Sequence, residues 1–594
     1  VISEEVVTKM IKAKINKVDV EVPEGTTILE AARKANFTVP TLCQHPDLTP
    51  EGSCGLCVVE VEGFPALRRA CVTQLEQGWV VNTNTARVRN ARKELVELIL
   101  SDHDTDCLTC IKNSRCELQE VARIVGIKEI TDYGKKRKKP IDMSSVAIVR
   151  DPNKCILCGR CIAVCSEIQT VNALTLNARG SDTTVSTAFN EGLGNSACVN
   201  CGQCTVFCPV GALYEKSQTD DVWKALNDPE KHVVVQEAPA IRAQLGEEFG
   251  MATGTIVSGK LHAALRRMKF DAVFDTNFTA DLTIIEEGNE VVDAIKTGKS
   301  LPIITSCSPG WIKFMETFYP HLSGHVSTAK SPQQMFGTLS KTYYSDLKGI
   351  PAEKIVSVSV MPCTAKKFEA QRPEMRSSGF QDVDYVLTTR ELGRMMREAG
   401  LDLKDMPDEP ADDPLGEYTG AATIFGATGG VMEAALRSAY FLVTGRELEN
   451  LDILPVRGME GVKEAVVPVD GLNLKVAVAH GLGNARKLLD KISAQLAETG
   501  KSEYHFVEIM ACPGGCVGGG GQPWGSNMAR RARRGEALYE EDKSLPKRRS
   551  HENVSVGLLY EKYLKKPNSE KAHHLLHTHY SPRSKVDGKI VKEG

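Results

Sequence analysis

The sequence predicts a multidomain α/β protein, and three features of its texture predict it. At 594 residues with 42% hydrophobic content, the chain can bury several separate cores. Residues 12–82 alternate short strand-like stretches (KINKVDVEV, CVVEVEG, GWVVNT) with one helix, TILEAARKA, as in a small β-rich domain with a helix across its sheet. From about residue 231 the texture changes to apolar strands (HVVVQ, PIITS, IVSVSV, VAVAH, HFVEIM) separated by helical stretches such as GKLHAALRRM and GVMEAALRSAYFLV.

Between these regions, residues 89–126 read as helical, with RNARKELVELIL leading into a His/Cys motif. The charge run at 135–140 ends in a helix-breaking proline. It has no interleaved aromatics, so a solvated linker is a better reading than a nucleic-acid patch. Residues 146–218 form a compact cysteine-dense domain. Past about 531 the tail is polar and basic, with LLYEKYLKK and EKAHHLLHTHY as short amphipathic helices. A formal charge of −3 gives no global attraction to nucleic acid or to an anionic membrane. No apolar run approaches the ~18 residues that span a bilayer. The opening VISEEVVTKM lacks a signal-peptide layout. The expected setting is a reducing cytoplasm, with neither nucleic acid nor membrane as partner.

All 19 cysteines fall into groups. The first is Cys43-x10-Cys54-x2-Cys57-x13-Cys71, and the second His103-x3-Cys107-x2-Cys110-x5-Cys116. Two tandem runs follow, Cys155-x2-Cys158-x2-Cys161-x3-Cys165 and Cys198-x2-Cys201-x2-Cys204-x3-Cys208. Cys307, Cys363, Cys512 and Cys516 lie after apolar strands, where α/β proteins build their sites. Disulfides suit small secreted domains, so close cysteine spacing in a large chain favours metal ligation. The tandem runs point to two [4Fe–4S] clusters in which each fourth cysteine crosses over. Cys155, Cys158, Cys161 and Cys208 then serve one cluster, and Cys198, Cys201, Cys204 and Cys165 the other. Zinc sites separate their Cys-x2-Cys pairs by a longer loop. The first group looks like a plant-type [2Fe–2S] site stretched at its first gap. The His103 group suits zinc or iron; its position between iron–sulfur modules favours a His-ligated [4Fe–4S] cluster. Together the groups read as an electron wire ending at one unusual site.

These front modules resemble the iron–sulfur subunit of respiratory complex I and the front of long-form [FeFe]-hydrogenases. The later cysteines decide between them. Thr305-Ser306-Cys307-Ser308-Pro309-Gly310-Trp311, the stretch from Met361-Pro362-Cys363 through Lys366 to Glu369, and Glu508 through Cys512-Pro513-Gly514-Gly515-Cys516 to Gln522-Pro523 resemble the three signature loops of [FeFe]-hydrogenases. The likeness runs nearly end to end. It implies a β-grasp [2Fe–2S] ferredoxin-like domain at 1–84 and a His/Cys3 [4Fe–4S] segment at 85–130. A bacterial-type 2[4Fe–4S] ferredoxin at 141–220 and an α/β H-cluster domain at 230–530 follow. The helical tail at 531–594 resembles a segment that some members carry as a separate small subunit.

The implied cofactors are one [2Fe–2S], three accessory [4Fe–4S] and an H-cluster, a cubane joined to a diiron unit with CO, CN⁻ and an azadithiolate. The resemblance makes Cys516 the bridging ligand and Cys363 and Cys512 cubane ligands. It sets Lys366 near a cyanide, and Ala238, Pro239, Gln333, Met361 and Met510 around the diiron pocket. The commonest first loop has two adjacent cysteines, a proton relay and then a cubane ligand. Here Ser308 stands in the second place. Keeping the register, Cys307 is the relay and Ser308 takes the ligand position. The alternative makes Cys307 the ligand, because a thiolate is softer than an alkoxide.

The family's proton path then runs Cys307, Glu287, Ser327, Glu290 and solvent. Glu287 and Glu290 share one helix face, and without the resemblance they read as an acidic surface. The expected reaction is reversible conversion of H2 to protons and electrons, as the catalytic subunit of a multimeric hydrogenase. The implied partners are a flavin-containing NAD(P)-binding subunit and a small [2Fe–2S] subunit, with ferredoxin as a further candidate. A hydrogen sensor and a non-catalytic electron-transfer subunit are the rival functions. VAVAHGLGNARKLL and GATGGVMEAAL resemble nucleotide loops but lack the full fingerprints, so they are expected to be internal turns.

Overall fold

The structure is a computed structural model and describes residues 9–130, 138–469 and 471–591. Residues 135–137 of the charge run lie outside the described residues.

The KINKVDVEV stretch is a hairpin rather than one strand. Asn16 and Lys17 take φ values of 47° and 73°, the two positive values a type I′ turn demands. The chain therefore folds back from Met10–Ile15 into Val18–Pro23. Met10–Ile15 also pairs in parallel with Val80–Asn82, which pairs antiparallel with Val58–Val61. The helix Ile28–Lys34 starts at a reciprocal Thr27/Glu30 capping box and buries Ile28, Leu29, Ala31 and Ala32 in the core of this sheet.

Residues 89–126 are two helices, not one continuous reading. Ala86–Asp102 ends at His103, and Glu117–Val125 begins after Cys116. The intervening stretch is rich in Asp, Thr, Asn and Ser, whose side chains compete for backbone partners. Asp106 N–H, for example, donates to the Asp104 carboxylate at 3.2 Å.

The two tandem cysteine runs repeat one backbone course. Leu157 and Gly159 have φ values of 54° and 79°, and Asn200 and Gly202 have 58° and 68°. Short helices, Arg160–Ala163 and Gln203–Phe207, follow in each.

The C-terminal α/β region holds two four-stranded sheets. In one, His232–Glu237 lies between Ala272–Asp275 and Ile355–Met361, with Tyr385–Thr388 outermost, all parallel. In the other, Ile303–Ile304, Phe506–Met510 and Leu472–His480 are parallel, and Val462–Val469 closes the edge antiparallel. The carboxyl ends of strands from both sheets face one cavity.

Neighbouring parts lock onto this region through backbone contact. Gly202 and Gly520 approach so closely that a Cβ on Gly520 would lie 2.3 Å from the Cys201 carbonyl. Arg390 spans the same seam, donating to Glu215 at 2.6 Å, to the Gly520 carbonyl at 2.9 Å and to the Gln522 carbonyl at 2.5 Å. The Gly-x-Gly turn at 481–483 packs here too: Leu482 N–H donates to the Gln169 side chain at 3.0 Å, and a Cβ on Gly483 would meet the Ile168 carbonyl at 2.9 Å.

The tail is basic in composition, yet its first helix, Met528–Ser544, turns arginines inward. Arg534 is fully buried on Glu247, with contacts of 2.7 and 2.8 Å. Farther on, Leu559, Tyr560, Leu564, Leu575 and Leu576 share a core with Phe274, Phe278, Leu282 and Phe336. Replacing Arg390 by Ala leaves Glu215 buried with only Arg394 against it. The expected cost is about 3 kcal/mol, read as a lower melting temperature of the purified protein.

Candidate active site

Four strand ends deliver the signature residues to the cavity. Ala238 and Pro239 follow His232–Glu237, and Met361 through Cys363 end Ile355–Met361. Cys307 and Ser308 follow Ile303–Ile304, and Met510 through Cys512 end Phe506–Met510. Gln333, Lys366 and Cys516 also line it. Pro309 opens the helix Pro309–Phe318 immediately after Ser308, a position where its missing N–H costs nothing. The turn from Cys512 to Cys516 needs its glycines: Gly514 and Gly515 have φ values of 82° and 89°, and His480 Nδ1 accepts the Gly514 N–H at 3.0 Å.

Burial pushes all four late thiols up, Cys516 to about 12. Cys512 also feels Cys363 and Cys516, and Cys516 feels Cys363, so these three form one electrostatic group. Packing three thiols together in a buried pocket suits a bound cation that takes them as thiolates, and soft sulfur favours iron. Cys307 lines the same cavity as the trio. After burial, its strongest influence is Glu287, followed by Cys516. Ser308 lines the cavity too, its Oγ accepting the Ala511 N–H at 3.2 Å beside Cys512.

The remaining lining fits an anionic, iron-bearing group. Lys366 Nζ is fixed 2.9 Å from Glu369 and 3.2 Å from the Cys307 carbonyl. Gln333 donates to Glu369 at 3.1 Å, leaving its buried side-chain oxygen without a partner. Arg242, fully buried, ties two strand ends by donating to Glu237 at 2.7 Å and Asp275 at 2.6 Å. It thereby fixes the backbone that leads into Ala238. Sequence reasoning gave no role to Arg242, Glu369 or His480: Arg242 and His480 lie outside the signature loops, and Glu369 ends the second of them but acts only through Lys366 and Gln333.

The acidic residues are not a surface face. Glu287 is buried in the helix Thr276–Thr297, and its Oε1 accepts the Ser306 N–H and hydroxyl, both at 3.2 Å. Burial first, and Glu290 second, raise its carboxyl to about 7. Ser327 donates to Glu290 at 2.6 Å and lies near enough to Glu287 to hold its carboxyl down, while Glu287 Oε2 has no hydrogen-bond partner. Thus Cys307, Glu287, Ser327 and Glu290 form one file.

The upstream cysteines assemble as groups. Cys57 and Cys71 have sulfurs 3.3 Å apart, and Cys43 interacts with both Cys54 and Cys71. Cys155, Cys158, Cys161 and Cys208 line one cavity. Cys165 is influenced by Cys198, and Cys204 by both of them. Cys201 lines the central cavity and interacts with Cys512. His103 is buried at a helix end, while Cys110 and Cys116 interact.

The arrangement forks. Ser53 donates to the Cys158 carbonyl at 3.3 Å, bringing the Cys43 domain to the middle group. Glu117 N–H donates to the Pro209 carbonyl at 3.0 Å, bringing the His103 segment to that same group. A single linear wire gives way to two branches meeting at Cys155, Cys158, Cys161 and Cys208. In GATGGVMEAAL, Gly429 and Met432 N–H groups both donate to Glu508 at 2.7 Å, so an internal carboxylate occupies that helix start. Among the described residues, no helix is long and apolar enough to cross a membrane.

Comparison with known proteins agrees along the whole chain. Residues 231–520 match the iron only hydrogenase large subunit, C-terminal domain, and 528–583 the iron hydrogenase small subunit. Residues 8–86 match a 2Fe-2S iron-sulfur cluster binding domain, and 92–131 the NADH-ubiquinone oxidoreductase-G iron-sulfur binding region. Residues 154–212 match a 4Fe-4S dicluster domain. The chain is 50% identical to the NADP-reducing hydrogenase subunit HndD of Solidesulfovibrio fructosivorans, over 97% of this chain and 100% of that protein. It is 41% identical to iron hydrogenase 1 of Clostridium pasteurianum, over 95% and 99% of the two chains. The solved [FeFe]-hydrogenase HydA1 from Chlamydomonas reinhardtii superposes with a TM-score of 0.55 at 43% identity, covering 62% of this chain and 99% of that one. The front of the chain is an iron–sulfur electron relay, and the region that follows is an H-cluster domain interconverting H2 with protons and electrons. The chain belongs to the iron-only, or [FeFe], hydrogenase family.

Proposed function

We propose that this chain is the hydrogen-converting subunit of a soluble NAD(P)-linked complex, with Cys363, Cys512 and Cys516 as sulfur ligands of the H-cluster and Ser308 as the oxygen ligand of its cubane. The H-cluster, when bound, supplies the iron chemistry that makes and breaks H2 and exchanges two electrons. The protein's own residues hold it, exclude water and move protons. Lys366, held by Glu369, offers a fixed cation to an anionic ligand. Cys307 is the first proton carrier, because Glu287 is the strongest charged neighbour of its buried thiol, ahead of Cys516. Glu287, with its carboxyl near 7, both takes and gives a proton around neutral pH.

One observation carries the reading of the chain as a relay: Cys201 lines the same cavity as Cys363, Cys512 and Cys516. Cys165, Cys198, Cys201 and Cys204 would hold the cluster beside the site and Cys155, Cys158, Cys161 and Cys208 the next one, and these would supply electron transfer away from it. Cys43, Cys54, Cys57 and Cys71 would hold a [2Fe–2S] and His103, Cys107, Cys110 and Cys116 a further cluster, which would supply two exits. A flavin-containing NAD(P)-binding subunit and a small [2Fe–2S] subunit receive the electrons, with ferredoxin as a further acceptor. The NADP-reducing relative, matched over its full length, supports this choice of partner.

The test is anaerobic purification of the matured complex and of the chain alone. The complex should reduce NADP⁺ with H2, and the chain alone should reduce only artificial dyes; NADP⁺ reduction by the chain alone overturns the partner assignment. Glu287→Gln should lower turnover at least a hundredfold, on the order of a lost acid–base group, with iron content unchanged. Ser308→Ala should release one cubane iron and give a three-iron signal in electron paramagnetic resonance, while Ser308→Cys keeps a four-iron cubane. Iron loss in Cys307→Ala, with none in Ser308→Ala, would reverse the two roles.

A further inference from the structure

The outer end of the acidic file is roofed by the tail. Lys330 N–H donates to the Leu576 carbonyl and Thr578 N–H to the Thr328 carbonyl, both at 2.7 Å. This short pairing seats the buried His577 ring between two carboxylates of the helix Thr276–Thr297. Its Nε2 lies 3.1 Å from Glu286 Oε2, and its Nδ1 lies 2.7 Å from Thr328 Oγ1 and 3.4 Å from Glu290 Oε1.

Counting hydrogens assigns the charge. The Thr328 hydroxyl has one hydrogen and gives it to Glu290 Oε1 at 2.5 Å. It can then only accept from Nδ1, so Nδ1 carries a hydrogen. Glu286 Oε2 already accepts the Asn568 N–H at 2.9 Å, and the Tyr560 hydroxyl donates to its other oxygen. An ionised carboxylate only accepts, so Nε2 carries a hydrogen as well. A histidine with both nitrogens protonated is an imidazolium.

We propose that His577 is a resident cation that keeps Glu290 ionised, so that Glu290 stands as a vacant station that passes each proton outward rather than storing it. The inference rests on the proton path given above. His577 is a positioning residue that acts through Glu290. In each transfer Ser327 gives its own hydrogen to Glu290 and takes one from Glu287, so the hydroxyl is restored and one proton has moved outward.

The groups facing the ring are Glu286 and Glu290 from the long helix, Thr328 from the segment after Ser327, and Tyr560 behind Glu286. From its own helix, His573 stacks on it at 4.3 Å. Tyr580, with its hydroxyl on the Ser327 carbonyl at 2.7 Å, lies beyond, and the nearby Lys330 ammonium is turned to Asp382 at 2.9 Å. Burial alone would lower the His577 value, but Glu286 and Glu290 outweigh it and lift it to about 9. Burial likewise pushes Glu290 up, and the His577 charge at 3.4 Å, with hydrogen bonds from Ser327 and Thr328, brings it below the ordinary carboxylate value.

The test uses the full chain carrying its iron–sulfur clusters without the diiron unit. The infrared band of the protonated Glu290 carboxyl, identified by its absence in Glu290→Gln, is followed against pH. In His577→Gln its midpoint should rise by about one pH unit or more, the scale of a lost neighbouring opposite charge. In the matured enzyme the acid limb of H2 oxidation should move up by the same amount, because a protonated Glu290 cannot accept. Stability gives a further readout. With a folded value near 9 against 6.5 unfolded, the His577 contribution is full below about pH 6.5 and lost as pH rises through 9. The wild-type melting temperature should fall across that window more steeply than that of His577→Gln.

An unmoved band in folded His577→Gln overturns the inference. If that variant does not fold, Glu286→Gln replaces it, and the stability loss, still starting near pH 6.5, should then be smaller and finish at lower pH; an unchanged window overturns the inference equally. A shifted band in a chain whose matured form shows no H2 turnover would condemn the hydrogenase path while sustaining the cation. Normal turnover with an unshifted band would remove His577 alone.

Discussion

A buried thiol among other thiols resists ionisation, and a bound cation is what reconciles such a group with its surroundings. That constraint organises the chain. Cys161, Cys201 and Cys204 are pushed well above ordinary values by burial and by the neighbouring thiols. Cys363, Cys512 and Cys516 repeat the situation inside the α/β region. Each group is built from loops with left-handed backbone positions, at Gly159, Gly202, Gly514 and Gly515, which let several sulfurs face one point. Sheets, helices and tail then serve to hold those loops in relation to one another.

The seam between the dicluster domain and the hydrogenase region is the second organising element. Gln203 donates to the Gly518 carbonyl at 2.8 Å, Thr205 to the Gly520 carbonyl at 3.0 Å and Thr364 to the Asn200 carbonyl at 2.7 Å. These bonds and the glycine contact leave little slack between Cys201 and Cys512. The relay and the site are therefore one packed object rather than two domains on a linker.

Much of this was legible in the sequence. Ligand groups announce themselves by spacing, and the parallel strands by apolar runs, because both are local signals. The crossed pairing of Cys208 with the first tandem run follows from the repeat itself. The fork at the middle group was not legible, since it depends on Ser53 and Glu117 meeting residues far along the chain. KINKVDVEV misled because Asn-Lys is a weaker turn signal than Asn-Gly, yet its two residues adopt the same left-handed pair. The inward arginines of the tail defeat composition, which cannot see the Glu247 and Asp47 carboxylates waiting for Arg534 and Arg531. His577 was visible only as one histidine among several in HHLLHTHY. Its role depends on a three-residue backbone pairing with a segment about 250 positions earlier.

The tail's continuity with the rest of the chain has a consequence of its own. A segment that roofs the proton exit as a detached polypeptide would be present only in proportion to its concentration and affinity. Tethered after Pro523, it meets its seat at an effective concentration fixed by chain length, and dilution cannot strip it away. The loss of the roof thus becomes an event of local unfolding within one molecule, reversible on its own clock and indifferent to how much protein the cell has made.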